Sequence, residues 1–477
     1  MADIAAALDV LLDPTLEPIV EMVLVPDGDA IEAHAIDGRV RFDRAGHAID
    51  STGRDPLGDQ ATDRFAGLSN ELASLQPARV SNSYPFAYEQ AAQIFDHRAA
   101  PDLCVIHTAA HNWAEQGGHL GEHGSLDVVQ ARAPFIIAGA GVRALGVLDR
   151  ACKLVDVAPT VLALMGGALQ QTDGEVQHDV IDASEAAPEH VIGFLWDGCN
   201  PNVLYDAAAR GEAPNVARLM SVGTTFGHGA MASLPTVTLA NHTSVLTGLH
   251  PGHHGILHNA WFDRATGAQV ITNSPATWHE ASSWLFPGVE TIHHAVHRVW
   301  PDACTASVNE PTDAGADFST FDFVRRGIPL ERPPAPDELP YADQRFVRPV
   351  KEYRWSSRVD HTTVQQFAGV WSGQYLGSDW PRPKFTWCNF SLTDAAFHEG
   401  GPHSDIARAS IRDTDARLGE ILQSVERAGA WDRTAFFLVA DHGMEETKPG
   451  VSGDWGPVLR DAGIDHRDEA FGFIYLA

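Results

Sequence analysis

Residues 434–444 read TAFFLVADHGM, a run of apolar side chains that ends on an aspartate, a histidine and a glycine. An uninterrupted apolar run of this length marks a strand buried on both faces, and the acidic residue after it falls at the carboxyl edge of a parallel sheet. The pattern recurs in VIGFLWDG (191–198) and in KFTWCNFSLTD (384–394). Two more runs, DLCVIH from Asp102 and PFIIAGA from Pro134, lie in the first third of the chain. Between them stand helix patterns: PNVARLMSVG (214–223), with Gly223 read as its C-cap, and IARASIRDTDARLGEILQSVERAG from Ile406. The alternation predicts an α/β fold with a mostly parallel central sheet, helices on both faces, and ligands at the carboxyl ends of the strands.

At 477 residues, with 44% apolar and 20% charged residues, the chain has the composition of a globular protein. It is long enough for one large core with a substantial insertion, or for two cores. The formal charge of −30 argues against binding to a nucleic-acid duplex or an anionic membrane surface. An anionic substrate would therefore need local positive charge from bound metal ions. The five cysteines are scattered without a CxxC, so they read as buried fillers rather than a disulfide framework or a thiolate zinc site. The first residues lack a signal-peptide pattern and no stretch reaches the ~18 apolar residues of a spanning helix. A cytoplasmic protein is expected.

Two stretches interrupt the strand–helix alternation. Residues 260–383 hold Trp261, Trp278, Trp284, Trp300, Trp355, Trp371 and Trp380 and the proline cluster IPLERPPAPDELP, and are expected to form an inserted cap. Residues 171–190 are acidic and polar and read as a linker. The expected division is then 1–170, the linker 171–190, and a core made of 191–259 and 384–477 around the cap.

The chemistry-bearing residues each have two readings. Asp197, after its strand, is either a turn former or a ligand. Asp394 and His398 are four apart, which on a helix places both on one face, as a chelating pair or as an ion pair. Asp441 and His442 follow the most apolar strand, where a buried Asp–His pair is hard to explain by structure alone. His123 sits between two glycines in GEHGS, with room for a ligand or metal to approach. Thr238 stands where an extended segment gives way to a helix in LPTVTLANHTSVLTG, as an ordinary N-cap or as a hydroxyl at an anion-binding helix start. Asn259 is a turn residue or a hydrogen-bond donor to a phosphoryl oxygen.

Taken together, these contexts resemble the metal-dependent alkaline phosphatase superfamily, in its nucleotide pyrophosphatase/phosphodiesterase branch. PTVTLANHTSVLTGLHPGHHGILHN is similar to that branch's nucleophile signature, with Thr238 in the nucleophile position and Asn259 in the phosphate-binding position. LWDG, DAAFHEGGP, DHGM and GEHGS resemble the other ligand segments. The resemblance implies an alkaline-phosphatase-like fold and two Zn²⁺ per chain, one held by Asp197, Thr238, Asp441 and His442, the other by His123, Asp394 and His398. It implies a small-molecule phosphoester or nucleotide substrate and a phosphothreonine intermediate, with Asn259 and the backbone N–H groups after Thr238 sharing the charge on the nonbridging oxygens.

In the families resembled, the GxHGS-type histidine comes last; here it comes first, so residues 1–170 correspond to the C-terminal part of the usual fold and the chain reads as circularly permuted. Alternatives are a phosphonate hydrolase of the phosphonoacetate-cleaving type, to which the scarcity of lysine in the cap is unfavourable, and a non-catalytic metal-binding scaffold. A sulfatase would need Cys or Ser at position 238.

Overall fold

The computed structural model describes residues 2–113, 118–328, 351–373, 381–469 and 472–477. Its central sheet has eight strands, in the spatial order Phe318–Ser319, Thr305–Val308, Phe385–Phe390, His190–Trp196, Thr434–Val439, Phe135–Gly139, Gly223–Phe226 and Gly146–Leu148. Seven of these run the same way, and Phe135–Gly139 is reversed against both of its neighbours. The sheet is therefore mostly parallel, as expected. The reversal was invisible in PFIIAGA because a strand covered on both faces carries no directional signal in its apolar pattern.

At the centre of the sheet, His190–Trp196 is hydrogen-bonded on both sides, with Leu195 opposite Asn389 on one neighbour and Val439 on the other. Gly193 belongs there because a Cβ at that position would lie 2.4 Å from the Phe437 ring and 2.6 Å from that of Trp387. Without it the two fully buried rings close to 5.7 Å between centroids across the strand, each burial stabilising by roughly 1.5–3 kcal/mol. The register brings the carboxyl ends of three adjacent parallel strands to one edge, and Asp197, Asp441 and the helix carrying Asp394 start from it.

A second sheet of seven strands is antiparallel throughout: His466–Glu469, Phe473–Leu476, Leu103–His107, Val20–Asp27, Ala30–Ala35, Gly38–Asp43 and Ala48–Gly53. DLCVIH thus belongs to this sheet and not to the parallel one. It reads as a buried parallel strand because both of its faces are covered: Cys104 and Ile106 face one core, while Leu103 and Val105 pack with Ala7, Leu11 and Trp455 in another. Both ends of the sequence meet here, with Phe473 opposite Cys104, and Ile474 in one cluster with Ala7, Leu11 and Val23.

The stretch expected as a cap lies only partly outside the core. Thr305–Val308 and Phe318–Ser319 extend the central sheet, and Phe367 and Trp371 of the helix Lys351–Trp371 are buried in its main core. Trp261 fills the core under the antiparallel sheet, with Trp278 and Trp284 packed against it. The proline cluster from Pro329 onward and Trp380 fall outside the described residues. Gly223 ends its helix in an extended conformation and opens the next strand instead of forming a left-handed cap; a Cβ there would meet the Ile137 carbonyl at 2.2 Å. Among the described residues, no helix is long and apolar enough to cross a membrane.

The acidic stretch 171–190 is pinned to the core. Asp173 accepts from the His250 N–H at 2.8 Å and pairs with His253 Nδ1 at 2.7 Å, and His253 Nε2 reaches Asp96 at 3.0 Å. The hydrogen bond to Asp173 comes first among the causes that raise the His253 imidazole to about 9. A folded-state pKa above the ordinary value of 6.5 gives stability that is complete below that value and is lost as pH rises through 9. In His253→Gln the melting temperature should fall relative to the parent at about pH 6, by an amount consistent with ~1 kcal/mol or less, and the gap should close by about pH 10. A gap independent of pH would show that the Asp96–His253–Asp173 pairing is not its source.

Candidate metal centre

The candidate residues reach one place by different local devices. Asp197 follows its strand directly, its N–H bonded to Phe390 O at 2.9 Å. Gly198 next to it has φ +62°, and a Cβ there would stand 2.6 Å from Asp394 Oδ1, so a glycine is what lets Asp394 approach. Asp394 and His398 lie on the helix Leu392–Gly400 with Asp394 Oδ1 and His398 Nε2 3.3 Å apart, as the four-residue spacing predicts. Asp441 accepts from the Gly198 N–H through Oδ1 at 3.0 Å, and its Oδ2 lies 3.1 Å from His442 Nε2.

His123 arrives from the far end of the sequence. The two-residue strand Gly121–Glu122 pairs with Glu445–Glu446, just beyond Asp441. His398 Nδ1 donates to Gly121 O at 2.8 Å, and His123 Nδ1 donates to Thr236 O at 2.8 Å, two residues before Thr238. His123 Nε2 then lies 3.9 Å from Asp394 Oδ1, and its ring stacks on His442 with centroids 3.7 Å apart.

A common feature follows from these contacts. His123, His398 and His442 each spend Nδ1–H on a backbone carbonyl, which fixes the ring and leaves Nε2 for the site. Asp197 Oδ1, Asp394 Oδ1, Asp441 Oδ2 and His442 Nε2 are buried with no hydrogen-bond partner. Buried polar atoms are rarely left so, and this set of imidazole and carboxylate atoms suits a divalent metal. Among the described residues four groups could hold an ion here: His123, Asp394 and His398; Asp197, Asp394 and His442; Asp197, His242 and Asp441; and, on the outer side of His398, His119, Glu122 and His398.

The electrostatics agree with that need. Burial, then the Asp441 and Asp394 charges, push the Asp197 carboxyl up to about 8. Burial lowers His123 to about 3, helped by His442 and His398, so it is neutral and ready to ligate. At His398 and His442 burial acts the same way, but the carboxylates, Asp394 and Asp441 first, outweigh it and hold the imidazoles up at about 10 and about 9.

Thr238 is the first residue of the helix Thr238–Thr247, with Val237 as its N-cap. Asn259 Oδ1 accepts the Leu239 N–H at 3.1 Å. The Leu239 N–H, one of the backbone groups after Thr238, is thus held by Asn259, whose amide NH₂ remains as a donor on that side.

A family model for type I phosphodiesterase / nucleotide pyrophosphatase matches residues 191–477, more than half of the chain. The chain belongs to this family. The family lies in the alkaline phosphatase superfamily, and the match takes in every candidate residue except His123. The chain is 24% identical over 321 residues to an uncharacterized pyrophosphatase/phosphodiesterase of Schizosaccharomyces pombe, covering 65% of this chain and 54% of the relative. It is 24% identical over 262 residues to ectonucleotide pyrophosphatase/phosphodiesterase family member 3 of Mus musculus, covering 54% and 25%. The solved structure of murine ectonucleotide pyrophosphatase / phosphodiesterase 5 aligns with a TM-score of 0.37 at 16% identity, covering 53% of this chain and 57% of that one. The chain spans about half the length of the first curated relative and a quarter of the second.

The candidate set left out His242, which stands on the helix that Thr238 begins. Its Nε2 lies 3.7 Å from Asp197 Oδ2 and 3.5 Å from Asp441 Oδ2. The signal was present, because His242 follows Thr238 by four residues, the same spacing that singled out Asp394 and His398.

The geometry around Gly198 can be tested directly. Gly198→Ala forces a side chain into left-handed backbone and against Asp394, and should cost about 1–3 kcal/mol of stability together with weaker metal uptake. Thermal unfolding and metal content after dialysis would show this. Wild-type values for both would mean that the approach of Asp394 to Gly198 does not matter.

Proposed function

We propose that the chain is a metal-dependent phosphodiesterase or nucleotide pyrophosphatase with Thr238 as nucleophile and two Zn²⁺ at the site. One observation carries the reading: two cavities, about 400 Å³ and about 540 Å³, meet at Thr238, Asp394, His398 and Asn273. A phosphorus atom placed at Thr238 therefore has room for a substituent on either side, as a diester or a substituted pyrophosphate requires and a monoester does not.

The roles follow from position. The Thr238 hydroxyl, at a helix start, attacks phosphorus and forms a phosphothreonine while the ester oxygen leaves. Asn259, held by Leu239, donates its amide N–H to a nonbridging oxygen. His123, Asp394 and His398 would hold one ion, and Asp197, Asp441, His442 and Thr238 the other. When bound, such ions lower the pKa of the attacking hydroxyl and neutralise charge on the leaving oxygen. Water then cleaves the phosphothreonine. Among the described residues no Lys or Arg lines either cavity, so the phosphonoacetate alternative finds no partner there for a second anionic group.

The reading includes circular permutation. Three findings support it: the family match begins at residue 191; His123, from outside that match, joins the ligand cluster; and Phe473–Leu476 pairs beside the N-terminal strands.

Wild-type protein should hydrolyse bis-p-nitrophenyl phosphate in preference to p-nitrophenyl phosphate and lose that activity to a chelator. Thr238→Ala should lower the rate by ~10³-fold or more, about 4 kcal/mol of barrier, with the fold intact. More than a tenth of the parental rate would exclude Thr238 as nucleophile. A gene rearranged to start near His190, pass from Ala477 through a short linker to Met1 and end near Gly167 should give an active enzyme. Misfolded or inactive product from several linker lengths would count against the permutation.

A further inference from the structure

His242 is buried at 1% exposure, and its environment is arranged with more care than a filler needs. Its Nδ1 lies 2.9 Å from Glu310 Oε2, a carboxylate that follows the Thr305–Val308 strand and is 0% exposed. The same Glu310 oxygen accepts Trp387 Nε1–H at 2.9 Å, and Oε1 accepts the Thr312 N–H at 3.0 Å. Glu310 is thereby fixed through both oxygens, and it fixes the imidazole plane. The other nitrogen, Nε2, is buried without a hydrogen-bond partner and faces Asp197 Oδ2 at 3.7 Å and Asp441 Oδ2 at 3.5 Å.

A carboxylate on one ring nitrogen of a histidine fixes the ring plane and aims the other nitrogen, at a metal centre either at the ion itself or, as the distances here allow, at the carboxylates around it. Direct ligation is the less economical use of it, because Asp197, Thr238, Asp441 and His442 already fill the four positions of a tetrahedral ion. Two buried carboxylates repel each other; His442 Nε2 meets this pair at Asp441 Oδ2, 3.1 Å, and Asp197 Oδ1, 3.9 Å, and His242 Nε2 is the ring nitrogen that faces Oδ2 of both. We infer that His242, oriented by Glu310, is a positioning residue that holds Asp197 and Asp441 in the arrangement that binds the ion beside Thr238. The inference rests on the proposed metal site and adds a role for two residues, one of them from the stretch expected to be only a cap.

The test uses the full chain loaded with Zn²⁺ or Co²⁺, reading metal per chain after dialysis and the visible absorption of the Co²⁺ form. Wild type should hold about two ions. His242→Ala should drop to about one and lose part of the Co²⁺ spectrum, whereas His242→Gln, whose amide nitrogen can stand where Nε2 stands, should keep both ions. Glu310→Gln should weaken the second ion by about 10–100-fold, and it carries the test if His242→Ala does not fold. Two tightly held ions with a wild-type spectrum in both His242→Ala and Glu310→Gln would overturn the inference while leaving the metal site standing. Equal loss in His242→Gln and His242→Ala would overturn it in favour of direct ligation. A wild-type protein that takes up no metal would overturn the site itself, and the positioning role with it.

Discussion

Three aspartates, Asp197, Asp394 and Asp441, are forced together at one edge of the central sheet, and the rest of the site is a response to that concentration of negative charge. Carboxylates removed from water raise each other's pKa unless positive charge is placed among them. Burial raises all three, but the imidazoles, His398 first at Asp394 and His442 first at Asp441, outweigh it there and leave Asp197 raised, while one oxygen on each aspartate has no hydrogen-bond partner. The crowding is imposed by the sheet, since adjacent parallel strands end at one edge and each delivers its acidic residue there. Gly193 and Gly198 then let the layers and the Asp394 helix close to the distances the cluster needs.

The candidate ligands divide according to how they are anchored. Asp197 and Asp441 follow two buried central strands, and Asp394 with His398 lies on a helix that follows a third. His123 is different, because it depends on a two-residue strand and on hydrogen bonds from its own ring and from His398. The segment is tied further by Gly124 N–H to Thr236 Oγ1 at 2.9 Å, by Thr236 Oγ1 to Ser125 O at 2.8 Å, and by Ser125 Oγ to His107 O at 3.0 Å, the last of these on the antiparallel sheet built from both ends of the sequence.

Much of this was legible in the sequence. Apolar runs ending in Asp197 and Asp441 placed both residues at strand ends, and the four-residue spacing put Asp394 and His398 on one helix face. Three things were not legible. The direction of Phe135–Gly139 and the sheet to which Leu103–His107 belongs were hidden because strands covered on both faces look alike in an apolar pattern. Tryptophans at 261 and 371 suggested a separate cap, yet they fill two cores, because a bulky apolar residue marks burial and not the element that buries it. The role of Glu310 depends on a contact with His242 across 68 residues, and no local pattern encodes that distance.

The most direct test of the account is anomalous diffraction at the zinc edge from crystals of the metal-loaded protein. The account predicts two peaks per chain, one within bonding distance of His123, Asp394 and His398, the other of Asp197, Asp441, His442 and the Thr238 hydroxyl. A single peak, or two peaks without His123 among their ligands, would contradict it.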